Sequence, residues 1–362
     1  MSDFQCSANL SSHPTNRRLY EIDLLRAFSI FLILIHHMDN YTNFDVFIFL
    51  KPYCGIFGIS LFVFLSGFSL FLHNDSFVSA HDYVSFYKKR LLRVFPLYLL
   101  SLSTFYFVFQ VSSDGLNQNL FWWFVHALGV QMLIAPYIEP IFTLWFIGMI
   151  LLFYLIYPIL ISNSMTVTKI MFNSLIIYLF LLAVHVTFNI IEVRFFMYYF
   201  IFILGITSCK LRGIKWQPSH YLICTIIFLV SFVFHFLNGA YSISEGQNTL
   251  DNLADISSNL AVLMAILLII LSISFSILFF KLAERSSKNL SGNLLRLTLS
   301  IAFASYAVYL FHRPFLSTFA FVLKDTFPIV ADAVIYLIGI PILFILAYGI
   351  QKHSSHILNF YF

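Results

Sequence analysis

Apolar runs of bilayer length recur almost without interruption between residues 20 and 350, separated by short polar turns. A hydrocarbon core about 30 Å thick is crossed by roughly 20 apolar residues rising 1.5 Å each. The runs predict ten helices, over residues 21–41, 54–73, 91–111, 142–162, 171–189, 195–208, 220–236, 256–280, 299–318 and 328–350. The sixth is short for a crossing. A further apolar stretch, 120–134, is shorter than a span and is followed by Pro136 and Pro140, which points to an interfacial or re-entrant element. No run alternates with a period of two, so β-barrel strands are not expected. The expected class is an all-α, polytopic transmembrane helical bundle of about ten spans.

Composition agrees: 60% of the 362 residues are hydrophobic and 10% charged, with a mean hydropathy of +0.89. A soluble domain carries about 25% charge, so neither a soluble globule nor a disordered chain fits. The net charge of +4 is too small for a nucleic-acid footprint. Its distribution is more informative. With the amino terminus inside, 16 of the 20 Lys and Arg fall at inner ends and loops, while the outer loop between Asn238 and Asp255 is acidic. The positive-inside rule then places both termini in the cytoplasm, with residues 1–19 and 352–362 as tails on one membrane domain of 20–351. The apolar stretch after Arg17 and Arg18 runs for a full membrane thickness, so it is expected to be a permanent span rather than a cleaved signal. Cys6, Cys54, Cys209 and Cys224 lack metal-ligand or CxxC spacing, which gives no case for a metal or a disulfide framework.

Ionisable groups inside such spans are costly to place and mark function by default. Arg26 lies about one turn into the first helix, and His37 follows eleven residues later. Eleven residues are close to three turns, so the two share a face about 16 Å apart, while His36 points about 100° away. A blander account makes Arg26 a snorkelling anchor and His37 a packing residue. In the third helix, Arg90 and Arg93 are three apart and can form a two-pronged anion clamp. With Arg26 they put three guanidinium groups at the cytoplasmic end, suited to the phosphates of a nucleotide-type ligand. Ser305, Tyr309 and His312 form one stripe of the ninth helix, and His312 reaches a depth comparable to His37. Trp145, at the outer end of the fourth span, completes a candidate upper site, although an interfacial Trp is also expected as a belt anchor and Ser305 as a small packing residue.

In order and spacing these pieces resemble the acyltransferase type 3 family of integral membrane acyltransferases, over nearly the whole chain. Asp23-x-x-Arg26 followed by His37 is similar to the first-helix signature of that family, and the segment ending in Ser66-Gly67-Phe68 to its second helix. Arg90-x-x-Arg93-x-x-Pro96-x-Tyr98 is similar to its paired arginines. Leu144-Trp145-Phe146, Phe202-x-x-Gly205 and Ser305-Tyr306-x-x-Tyr309-Leu310-x-His312-x-Pro314 resemble its later spans. The resemblance implies transfer of an acyl group, most often acetyl, from cytoplasmic acyl-CoA to a hydroxyl of a surface or lipid-linked glycan, such as O-antigen or capsule, at a bacterial inner membrane. In that reading Arg26, Arg90 and Arg93 hold the CoA. His37 leads catalysis as general base or acyl carrier, with His312 and Trp145 beside it and Asp23, Ser305 and Tyr309 in support. Membrane lipids are the other expected partner. The chain ends at Phe362 without the soluble hydrolase-like domain some members append, so the membrane domain is expected to perform the transfer itself. Many members carry a Glu shortly after the Trp, where this chain has Gly148, Met149 and Ile150. A transporter or flippase is the competing class, but the paired, Gly/Pro-broken half-helices expected of one are absent from the pattern.

Overall fold

The computed structural model describes residues 18–42, 51–110, 118–161, 166–237, 258–326 and 330–359. These form a bundle of helices, with no strand among the described residues. In chain order they are α1 (Tyr20–His37), α2 (Lys51–His73), α3 (Ala80–Phe105), α4 (Leu120–Ala127), α5 (Trp145–Leu160) and α6 (Val167–Phe188). There follow α7 (Val193–Lys210), α8 (Pro218–Leu237), α9 (Ser258–Ser286), α10 (Gly292–Thr326) and α11, which runs from Ala331 to Asn359 through a π-helical turn at Ile335–Gly339. The acidic loop between Asn238 and Asp255, most of the expected amino-terminal tail with Cys6 and Arg17, and residues 360–362 of the expected carboxy-terminal tail lie outside the described residues.

Among the described residues nine helices, α2, α3 and α5 to α11, are long and apolar enough to cross a membrane. The tenth expected span, α1, has bilayer length but carries Glu21, Asp23 and Arg26. Protein rather than lipid surrounds its charged turn. Arg18 donates to Asp23 at 2.7 Å, Arg26 lies 4.0 Å from the other oxygen of that carboxylate, and Arg212 reaches Glu21 at 3.0 Å. Pairing of this kind offsets the cost of placing ions at membrane depth.

The sequence-predicted boundaries shift mostly outward. The short sixth span is a full 18-residue helix, and α3 begins at Ala80, where Ser79 and Asp82 form a capping box, well before the expected start at residue 91. The 120–134 stretch is a helix only to Ala127.

Close packing of α2 on α7 organises the middle of the bundle. A Cβ on Gly67 would sit 2.2 Å from the Phe202 carbonyl oxygen, and one on Gly205 2.1 Å from that of Phe64. The two backbones therefore touch, as small residues permit between membrane helices. On its other side α2 receives α1: Gly58 leaves room for Ile33, and Gly55 for the ring of His36. Around this core α6 and α8 turn large apolar side chains outward, including Phe172, Phe180, Leu222 and Val230, as helices facing lipid do.

Candidate active site

Two of the expected residues, far apart in sequence, meet in space. The rings of His37 at the end of α1 and His312 in α10 stack with centroids 5.1 Å apart, inclined by 29°. His36 packs edge-on against His37 at 4.5 Å, but its own Nδ1 donates to the Lys51 carbonyl 3.0 Å away, so it belongs to the α1–α2 interface. The division between the adjacent histidines follows from the 100° helical rotation.

His312 is fully buried, and its Nδ1 lies 2.7 Å from the Tyr309 carbonyl oxygen. A carbonyl only accepts, so Nδ1 carries the proton and Nε2 a lone pair. That Nε2 is buried and has no hydrogen-bond partner. His37 is half-buried, and neither of its ring nitrogens bonds to any described residue. The pair thus offers nitrogen acceptors beside a partly open face.

Tyr309 touches this pair, its ring centroid 6.0 Å from that of His312, and its hydroxyl donates to the Thr143 carbonyl. Tyr306, one turn below, donates to the Val94 carbonyl at 2.9 Å, and Ser101 of α3 to the Leu310 carbonyl at 2.8 Å. These bonds hold α10 alongside α3 in parallel. Ser305 returns its hydroxyl to Ala302 in its own helix, as a small packing residue would. Trp145 makes no ring contact with either histidine among the described residues. It lies under Arg194, whose guanidinium carbon is 4.0 Å from the ring centroid and which pairs with Glu192. Sequence reasoning left Glu192 and Arg194 without a role; the structure makes them the cover of Trp145. His185, also unassigned, bonds the Ile190 and Ile191 carbonyls and closes the α6–α7 turn.

At the opposite end of the same helices lie the arginines. Arg90 rests against Phe86 and Tyr154, 5.5 and 5.8 Å from the ring centroids, and its buried Nε has no partner. Arg93 is exposed, and Arg26, which also reaches Ser69 at 3.4 Å, lies within range of its charge. Among the described residues, Arg26 alone of the three has a carboxylate, Asp23, which Arg18 shares. The cluster therefore keeps excess positive charge about 16 Å along α1 from the histidines.

The chain after α4 supplies a part that periodicity did not reveal. Its backbone pairs with the α6–α7 turn, Ile191 and Glu192 donating to Leu133 and Met132, and Gln131 lies fully buried. Gln131 donates to the Tyr98 hydroxyl and the Leu144 carbonyl at 3.3 and 3.2 Å. A Cβ on Gly148 would meet this amide at 2.9 Å. The space a side chain after Trp145 would occupy is thus filled by a polar group from another element.

His126 fastens that segment at both ring nitrogens. Nδ1 donates to the Trp122 carbonyl at 2.8 Å, and Nε2 accepts from the Ile141 amide at 3.0 Å. Burial pushes this imidazole, outside the spanning helices, down to about 4. Its folded value lies below the ordinary 6.5, so the stability it contributes is complete above pH 6.5 and lost as pH falls towards 4. Hydrogen exchange of residues 128–141 should accelerate over that interval in the native protein, and His126→Gln should remove the pH dependence.

A family model described as an acyltransferase domain matches residues 19–351. Nodulation protein 10 of Rhizobium leguminosarum bv. viciae is 27% identical over 180 residues, 42% of this chain and 45% of that protein. The chain thus spans less than half the length of that relative. No solved structure matches.

Proposed function

Because the chain belongs to the membrane acyltransferase family whose domain matches residues 19–351, we propose that it moves an acetyl group from cytoplasmic acetyl-CoA to a hydroxyl of a surface or lipid-linked glycan at a bacterial inner membrane. The observation that carries this reading is the stacked His37–His312 pair, three helical turns from an arginine cluster that is short of carboxylates. Arg90, Arg93 and Arg26 hold the phosphates of the donor, whose flexible arm extends between α1, α3 and α10 to bring the thioester to the imidazoles. A neutral His37 accepts the proton of the acceptor hydroxyl while its oxygen attacks the thioester carbonyl. The tetrahedral adduct collapses, the C–S bond breaks, and the imidazolium returns the proton to the departing thiolate. His312 holds the His37 ring by stacking and keeps an unprotonated Nε2 beside it. Trp145 and Tyr309 wall the same end.

The test is loss of radiolabelled acetyl-CoA in the presence of purified protein and a glycan acceptor. A transporter would leave the donor intact. Arg90→Ala should raise the KM for acetyl-CoA about 30-fold with a smaller change in kcat, since charged hydrogen bonds contribute roughly 1.5–3 kcal/mol each. An unchanged KM would remove Arg90 from the donor site.

A further inference from the structure

Arg313 follows His312 directly, and the structure gives its charge no answer. Its Nε is buried without a hydrogen-bond partner, and no carboxylate of the described residues lies within ion-pair range. The other guanidinium at this end, Arg194, is neutralised by Glu192. Arg313 is nonetheless held in place. Its guanidinium carbon sits 4.6 Å over the ring of Phe142, and the Tyr41 hydroxyl donates to its carbonyl at 3.4 Å. Phe142 takes a φ of +26°, which an aromatic residue rarely adopts, and such strain concentrates at ligand sites. The charge of Arg313 reaches both His37 and His312.

A half-buried cation without a counter-ion costs several kcal/mol at membrane depth and is sustained when a ligand supplies the anion. Arg90 presents the same feature at the donor end, an orphaned buried Nε and no carboxylate partner among the described residues. The two unanswered guanidinium groups lie one at each end of the proposed path.

We propose that Arg313 is the anion-binding group of the acceptor site: the glycan acceptor carries a carboxylate or a phosphate that pairs with this guanidinium beside the two imidazoles. The proposal rests on the acyl-transfer reading, and it narrows the acceptor to an acidic sugar or a sugar on a lipid phosphate.

The full chain in phosphatidylcholine nanodiscs, supplied with radiolabelled acetyl-CoA, would be offered cellobiose, cellobiouronic acid and a polyprenyl diphosphate-linked disaccharide. The native protein should prefer one of the two anionic acceptors to cellobiose, and which one it prefers separates carboxylate from phosphate. Arg313→Gln should reduce that preference about 30-fold. Arg313→Lys, which keeps the charge, should restore part of it and exclude a merely structural loss. Equal turnover of neutral and anionic acceptors, a preference that survives Arg313→Gln, or an effect that instead follows added phosphatidylglycerol would overturn the assignment. If acetyl-CoA is consumed with none of the acceptors, the acetyl-to-glycan reading is refuted. Retention of labelled cellobiouronic acid and of the lipid-linked disaccharide on the immobilised protein then decides Arg313 separately: weaker retention of either by the Gln variant supports the site, and equal retention of both overturns it.

Discussion

Replacing His37 by Ala should lower acyl transfer by about three orders of magnitude, the range lost with a general base, while the protein still inserts and melts near its native temperature. The separation of effects follows from how little His37 does for the fold. Its ring is half-buried, bonds to no described residue, and makes its ring contacts with the two neighbouring imidazoles. His312→Ala differs, because it empties a fully buried site and removes the bond to Tyr309, so activity and stability should fall together. Comparing acetyl-CoA consumption with the melting temperature in detergent for both variants checks the claim. A His37→Ala protein that retains transfer would remove the imidazole from the chemistry.

The helices and the two ends of the site were legible in the sequence because both depend on local spacing. Length and hydropathy mark a span, and eleven residues between Arg26 and His37 fix their shared face without any knowledge of neighbours. The pairing of His37 with His312 was expected only as equal depth, since the face that α10 turns to α1 is decided by packing. Tyr309 and Ser305 share a stripe with His312, yet Tyr309 meets its ring while Ser305 bonds within its own helix. Helical spacing selects a face and not the partner of each side chain. Gln131 and His126 gave no periodic signal, because they act through turns whose geometry depends on contacts with α5 and the α6–α7 connection. Arg313 and Arg194 carry no spacing signal that separates them. The sequence does not say that one would find Glu192 and the other no carboxylate.

Introducing a single methyl group at Gly205 or Gly67 should be among the most destabilising changes available to this chain. Each new Cβ would lie 2.1–2.2 Å from a backbone carbonyl oxygen of the facing helix, and no rotamer change can move that obstacle. Relief requires α2 and α7 to separate along their crossing. Overpacking of a tight interior costs typically ~1–3 kcal/mol, and a backbone-to-backbone clash belongs at the upper end. The effect should reach the site, because α2 seats His36 through Gly55 while α7 carries Arg194 over Trp145. A fall in melting temperature of several degrees with reduced transfer is expected for either variant. Gly349→Ala is the control, since a Cβ there meets nothing within 4 Å and exchanging a helical Gly for Ala gains roughly 0.5–1 kcal/mol. Combining Gly67→Ala with Gly205→Ala should cost less than the sum of the two, because one separation of the helices relieves both clashes. Strict additivity would mean that the two glycines face separate contacts and that the close crossing of α2 and α7 is wrong.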